Sequence, residues 1–177
     1  MAVWDTSVAS GLHPDGCLFE LASETALSAE PILLAAPTVQ EIAFGLQRKA
    51  GEDRRFGAAL SWFTEILDAG VLGVLPLTWE AALLAGRLRA RHPAPPASGG
   101  GRSKRSSRSR APKPERRVAW VTDIQIAATA WLAGEPVSTA DQTHFKLLGE
   151  GIADLYPGAG KLEVLPPPEL DGEQASS

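Results

Sequence analysis

Five consecutive apolar residues, Ile32-Leu33-Leu34-Ala35-Ala36, constrain the fold more than any other stretch. A strand with one face in water alternates apolar and polar side chains. An unbroken run predicts a strand covered on both faces, as in a parallel sheet between layers of helices. Shorter runs suited to strands occur at Ala2-Val3-Trp4, Val71 to Leu75, Val137-Ser138-Thr139 and Leu162 to Leu165. Segments of helical period lie between them. Leu18 to Ala29 reads as a short helix, as does Pro37 to about Lys49, where Thr38 and Glu41 match a capping box. Ala58 to Ala69 puts Leu60, Phe63 and Leu67 on one stripe widened by Trp62 and Ile66. Thr78 caps a helix through Arg91 that turns Trp79, Ala82, Leu83, Gly86 and Leu88 inward, and Asp123 starts an apolar helix that stops at Gly134. Strands alternating with helices predict an α/β domain of three layers, αβα, with a mainly parallel central sheet.

The pattern collapses once. From about Pro93 to Arg117 the chain is Pro, Gly, Ser and Arg with almost no apolar side chains, so it reads as a disordered insertion that cannot bury enough surface to offset its ordering entropy. The expected organisation is one domain over residues 1–165, interrupted by 93–117 and followed by a loose tail, 166–177. Net charge, −4 overall, is uneven: Ala94 to Arg117 holds eight Lys or Arg and one acid, or +7, leaving −11 elsewhere. Arg102, Lys104, Arg105, Arg108 and Arg110 of this insertion are the candidate RNA-binding residues, since basic flexible segments bind phosphates without regard to sequence. The bland alternative is a low-complexity loop tolerated because long loops cost little stability.

One cysteine, Cys17, forbids an internal disulfide and points to a reducing cytoplasm. Neither a signal peptide nor an apolar segment of membrane-spanning length is expected.

Four acids stand at junctions of the expected elements: Asp5 after the first strand, Glu41 in a first helical turn, Asp123 at a helix start and Asp141 after a late strand. Ligands bind at the carboxyl edge of parallel sheets. Carboxylates gathered there repel, by ~4 kcal/mol for a pair about 4 Å apart at an effective dielectric near 20. Protonation or a cation relieves that repulsion. All-oxygen donors favour Mg²⁺ or Mn²⁺, and one cysteine with three scattered histidines (His13, His92, His144) makes a poor zinc site. Each acid also has a structural reading. Glu41 completes a capping box, Asp123 faces a helix dipole, and Asp5 and Asp141 serve as turn residues.

The blocks carrying these acids are Val3-Trp4-Asp5-Thr6-Ser7, Pro37 to Ile42, Asp123 to Ala130 and Ser138 to Phe145. In order and spacing they resemble the four signature blocks of PIN-domain ribonucleases, most nearly VapC-type toxins of toxin–antitoxin pairs. The resemblance spans about residues 1–165. It implies a PIN-like fold and a Mg²⁺- or Mn²⁺-dependent endoribonuclease in which Asp5, Glu41, Asp123 and Asp141 bind the metal. Thr139 would orient the site, with Thr6 or Ser7 beside the first aspartate. It also implies an RNA substrate, a cognate antitoxin and a homodimer; Trp62, Phe63 and Trp79 are candidates for a dimer or antitoxin face and serve equally well as core. Where members often carry a further acid, His144 stands, and no fifth acid is counted. The competing function is a catalytically idle PIN-like module that binds RNA or a partner. A receiver-type phosphoacceptor fits less well, because Lys146 and Lys161 are poorly placed.

Overall fold

The apolar runs become five short strands in one sheet. The computed structural model describes residues 1–13, 16, 18–25, 30–96 and 114–168. In chain order the elements are β1 (Val3–Trp4), α1 (Thr6–Ala9), α2 (Phe19–Thr25), β2 (Ile32–Ala35), α3 (Ala36–Ala50), α4 (Arg54–Asp68), β3 (Leu72–Leu75), α5 (Trp79–Arg91), α6 (Pro114–Ala133), β4 (Val137–Ser138), α7 (Gln142–Leu155) and β5 (Val164–Leu165). All strand pairings are parallel, in the order β3-β2-β1-β4-β5.

Side chains alternate across the sheet and divide the core in two. Val3, Leu33, Ala35 and Val137 face one way and pack against α5, α6 and α7. Trp4, Ile32, Leu34 and Leu72 face the other way, against α1 to α4. This is the expected three-layer α/β arrangement. The strand order reverses at the central strand β1, between it and β4, and such a switch point opens a crevice at the carboxyl ends of the strands.

α5 and α6 depart most from the expectations drawn from sequence. α5 carries two apolar stripes about 200° apart: Trp79, Ala82, Leu83 and Gly86, and Ala81, Leu84, Ala85 and Leu88. The second is buried, while Trp79 stays 74% exposed and Leu83 50% exposed. Thr78 does cap this helix, through the Ala81 N–H. α6 begins at Pro114, well before Asp123, and takes up residues read as insertion. Proline suits a first helical turn because its missing N–H would have had no partner there. The polar turn Glu115-Arg116-Arg117 is exposed, and the helix becomes buried from Trp120 onward. The basic candidates Arg102, Lys104, Arg105, Arg108 and Arg110 lie outside the described residues, as does the tail from 169.

α7 crosses α5 closely at Gly151. A Cβ there would meet His92 Nε2 at 2.8 Å and Leu88 Cδ2 at 3.1 Å. Gly151→Ala is therefore expected to lower stability by about 1–3 kcal/mol through overpacking, as read from chemical denaturation.

Candidate active site

Asp5 ends β1 and caps α1. Its extended backbone turns the side chain back over the helix, where Oδ1 accepts the Val8 N–H at 3.0 Å and the Ser7 hydroxyl at 2.7 Å. The cap is thus Asp5 itself. The other oxygen, Oδ2, accepts the Thr139 hydroxyl at 2.7 Å. Asp5 is 4% exposed and Thr139 is fully buried.

The pairing of β1 with β4 sets this contact, because the Asp5 N–H donates to the Ser138 carbonyl. Thr139 Oγ1 also accepts the Asp141 N–H at 2.9 Å, so one hydroxyl links the acid after β1 to the backbone that carries the acid after β4. Ser7 adds a second tie by accepting the Ala140 N–H. Thr139 therefore ties the Asp5 carboxylate to the turn that carries Asp141.

Glu41 is no capping residue. α3 starts at Ala36 with Ala35 as its N-cap, and no side chain caps it. Thr38 is thereby drawn into the first turn, fully buried, and its hydroxyl donates to the Trp4 carbonyl. That leaves Glu41 free to reach the site, where it accepts the Thr6 hydroxyl.

Asp123 stands in the middle of α6, beyond reach of the helix-end dipole, so the dipole reading fails. Its carboxyl is pushed up to about 7, by burial first and then by the negative charges of Asp5, Glu41 and Asp141. The fold has thus brought Asp5, Glu41 and Asp141 within electrostatic reach of Asp123. Asp141 caps α7 through the His144 N–H and keeps half of its side chain in solvent.

His144, given no role by the sequence reading, joins this set. Its Nδ1 lies 2.9 Å from Asp141 Oδ2 and 3.6 Å from Asp123 Oδ2. The ring meets the buried Trp120 edge-on at 5.3 Å, and the Trp120 N–H donates to the His92 carbonyl. The three-residue offset from a capping aspartate, one helical turn, is the signal that could have found it.

Among the described residues, no three His, Cys, Asp or Glu side chains converge tightly enough to chelate one ion as they stand. The donor chemistry nevertheless suits a hard divalent cation. The set is carboxylate oxygens, and part of the upward shift at Asp123, after burial, comes from negative charge that such a cation would neutralise.

A model of the PIN domain family matches residues 2–150. No curated protein sequence matches the chain. Among solved structures, one described as FitAB bound to IR36 DNA fragment aligns with a TM-score of 0.51 at 21% identity, covering 98% of this chain and 99% of that one. FitAcB from Neisseria gonorrhoeae aligns at 0.49 and 20% identity, over 93% and 96% of the two chains. VapBC2 from Rickettsia felis, bound to a DNA fragment from the promoter, aligns at 0.49 and 14%, over 93% and 97%. At such identities the likeness is one of fold.

Proposed function

Because the chain belongs to the PIN domain family, we propose that it is a metal-dependent endoribonuclease that hydrolyses RNA phosphodiester bonds and acts as the toxin of a toxin–antitoxin pair. One observation carries the reading: Asp123 is buried beside Asp5, Glu41 and Asp141, and burial first, then their charges, push its carboxyl up to about 7. A folding domain has no use for four mutually repelling acids at a sheet edge, whereas a cation site does. Asp5, Glu41, Asp123 and Asp141 would hold Mg²⁺ or Mn²⁺. When bound, such an ion supplies hydroxide from water near neutral pH and steadies the leaving oxygen.

The protein's own contribution is positioning. Thr139 fixes Asp5 and the turn to Asp141, Thr6 holds Glu41, and Ser7 braces Asp5 from the other side. His144 sits between Asp123 and Asp141, where it orients both carboxylates. The toxin role and its antitoxin partner rest on the family and on the fold shared with FitAB, which is itself described in complex with DNA. Phe63 is core and Trp62 is partly buried against Phe19, so of the three aromatic candidates Trp79 alone is left on the surface to serve a homodimer or antitoxin face, with Leu83 one turn along. No helix among the described residues is long and apolar enough to cross a membrane.

The test is incubation of the chain with mixed single-stranded and structured RNA. Cleavage is expected with Mn²⁺ or Mg²⁺, and it should be abolished by EDTA and by Asp5→Asn. RNA that survives intact with either ion leaves the idle binding module in its place.

A further inference from the structure

Next to Glu41 a cleft of about 400 Å³ opens between α1, α3 and α4, within the roughly 300–1,000 Å³ of ordinary ligand sites. One stripe of α3 supplies a wall: Glu41, Gly45 and Lys49, at i, i+4 and i+8, with Ile42 and Leu46 beside them. Eight residues of helix separate the acid from the cation by ~12 Å. Phe56 and Arg55 of α4 face this stripe, and Lys49 Nζ lies 4.9 Å from the centre of the Phe56 ring. The cleft is thus acidic where it joins the catalytic edge, apolar along its length, and basic at the α3–α4 turn.

That graded lining matches one nucleotide of a single RNA strand. We propose that the cleft is a base subsite, in which one unstacked nucleobase lies against Ile42, Leu46 and Phe56 while Lys49 and Arg55 attract the adjoining phosphate. The proposal rests on the nuclease reading and extends it to how substrate is held. An acidic centre repels a polyanion, so the strand needs cations near by. The turn between α3 and α4 carries Arg48, Lys49, Arg54 and Arg55 against Glu52 and Asp53, with Arg55 paired to Asp53. Single strands are commonly bound by this combination of an apolar or aromatic platform and basic side chains.

Gly45 supports the same assignment. Glycine weakens a helix interior. Here no neighbour demands it, since a Cβ would meet nothing within 4 Å. A side chain at this position would instead project into the cleft that Gly45 lines.

The experiment uses the full chain and fluorescein-labelled short single-stranded RNA of randomised sequence, with binding read by anisotropy in EDTA so that no strand is cut. Gly45→Trp, which plugs the cleft, and Lys49→Glu, which reverses its basic end, are each expected to weaken binding by about 10-fold or more. The unaltered chain should bind an otherwise identical abasic oligomer as weakly as the plugged chain binds the intact one.

Undiminished RNA binding by a Gly45→Trp chain of native circular dichroism overturns the proposal and leaves the cleft to a protein segment. Equal affinity of the unaltered chain for intact and abasic strands overturns it too, and does so even if Gly45→Trp fails to fold. Cleavage with Mn²⁺ is followed in parallel. A chain that cleaves RNA yet does not distinguish intact from abasic strands sinks the subsite alone, whereas a chain that cleaves nothing removes the nuclease reading beneath it.

Discussion

An Asp123→Asn chain should lose RNA cleavage by about 10³-fold or more and yet, without metal, melt at a higher temperature than the unaltered chain at pH 8. Both halves follow from the burial of this residue and the crowding of carboxylates around it. Its carboxyl titrates at about 7 in the fold against an ordinary value of 3.8, because burial and the charges of Asp5, Glu41 and Asp141 penalise ionisation. The folded state therefore holds this proton more tightly than the unfolded chain does. The stability it contributes is complete below pH 3.8 and is lost as pH climbs through about 7. About three pH units correspond to ~4 kcal/mol at most. Residual solvent around the carboxyl and readjustment of its neighbours bring the expected gain for Asn to ~1–3 kcal/mol at pH 8. At pH 5 the native carboxyl is already neutral in the fold, and the two chains should melt much closer together. Thermal unfolding in EDTA at both pH values measures this. A gap no wider at pH 8 than at pH 5 would mean that the four acids do not share one field.

The strands and the three layers were legible because each depends on local letters. Val3-Trp4-Asp5 reads as a buried strand that ends in an acid whatever lies elsewhere, and Ile32 to Ala35 admits no half-exposed strand. Helix phase was less legible. α5 offers two stripes of similar apolarity, and the one containing Trp79 looks richer by letter count. The smaller Ala81, Leu84, Ala85 and Leu88 are the ones buried, the last three in the core shared with α6 and the sheet. Burial follows shape complementarity as well as hydrophobicity.

Helix starts were misjudged for a related reason. Thr38 and Glu41 have the letters of a capping box, but Pro37 favours a helix begun just before it, and a begun helix leaves Thr38 no free N–H to cap. Pro114-Glu115-Arg116-Arg117 has the composition of the neighbouring insertion, and only the buried Trp120 and the apolar residues after it reveal that the helix has already started. The contacts Thr6 to Glu41 and Thr139 to Asp5 join residues 35 and 134 positions apart, and no local pattern encodes them. The pairing of β1 with β4 accounts for the second of them once the strand order is known.

Mn²⁺ should invert the stability order that Asp123→Asn establishes. An ion that binds the folded carboxylates and not the unfolded chain adds about 2.7 kcal/mol at 100 times its dissociation constant. For a chain of this length that is a rise of roughly 5–10 °C in Tm. The unaltered chain has the most to gain, because the ion replaces repulsion among Asp5, Glu41, Asp123 and Asp141 with attraction to all four. The Asn variant, relieved of that repulsion in advance, has lost one donor and should gain little. Without metal at pH 8 the variant is therefore expected to be the more stable of the two, and with saturating Mn²⁺ the less stable. The proton on Asp123 competes with the ion, so the Mn²⁺-induced rise should shrink as pH falls below about 7. Melts of both chains with and without Mn²⁺, at pH 8 and pH 6, decide the matter without any RNA present. Equal Mn²⁺-induced rises in the two chains would locate the ion away from Asp123 and remove the physical basis for a catalytic centre there.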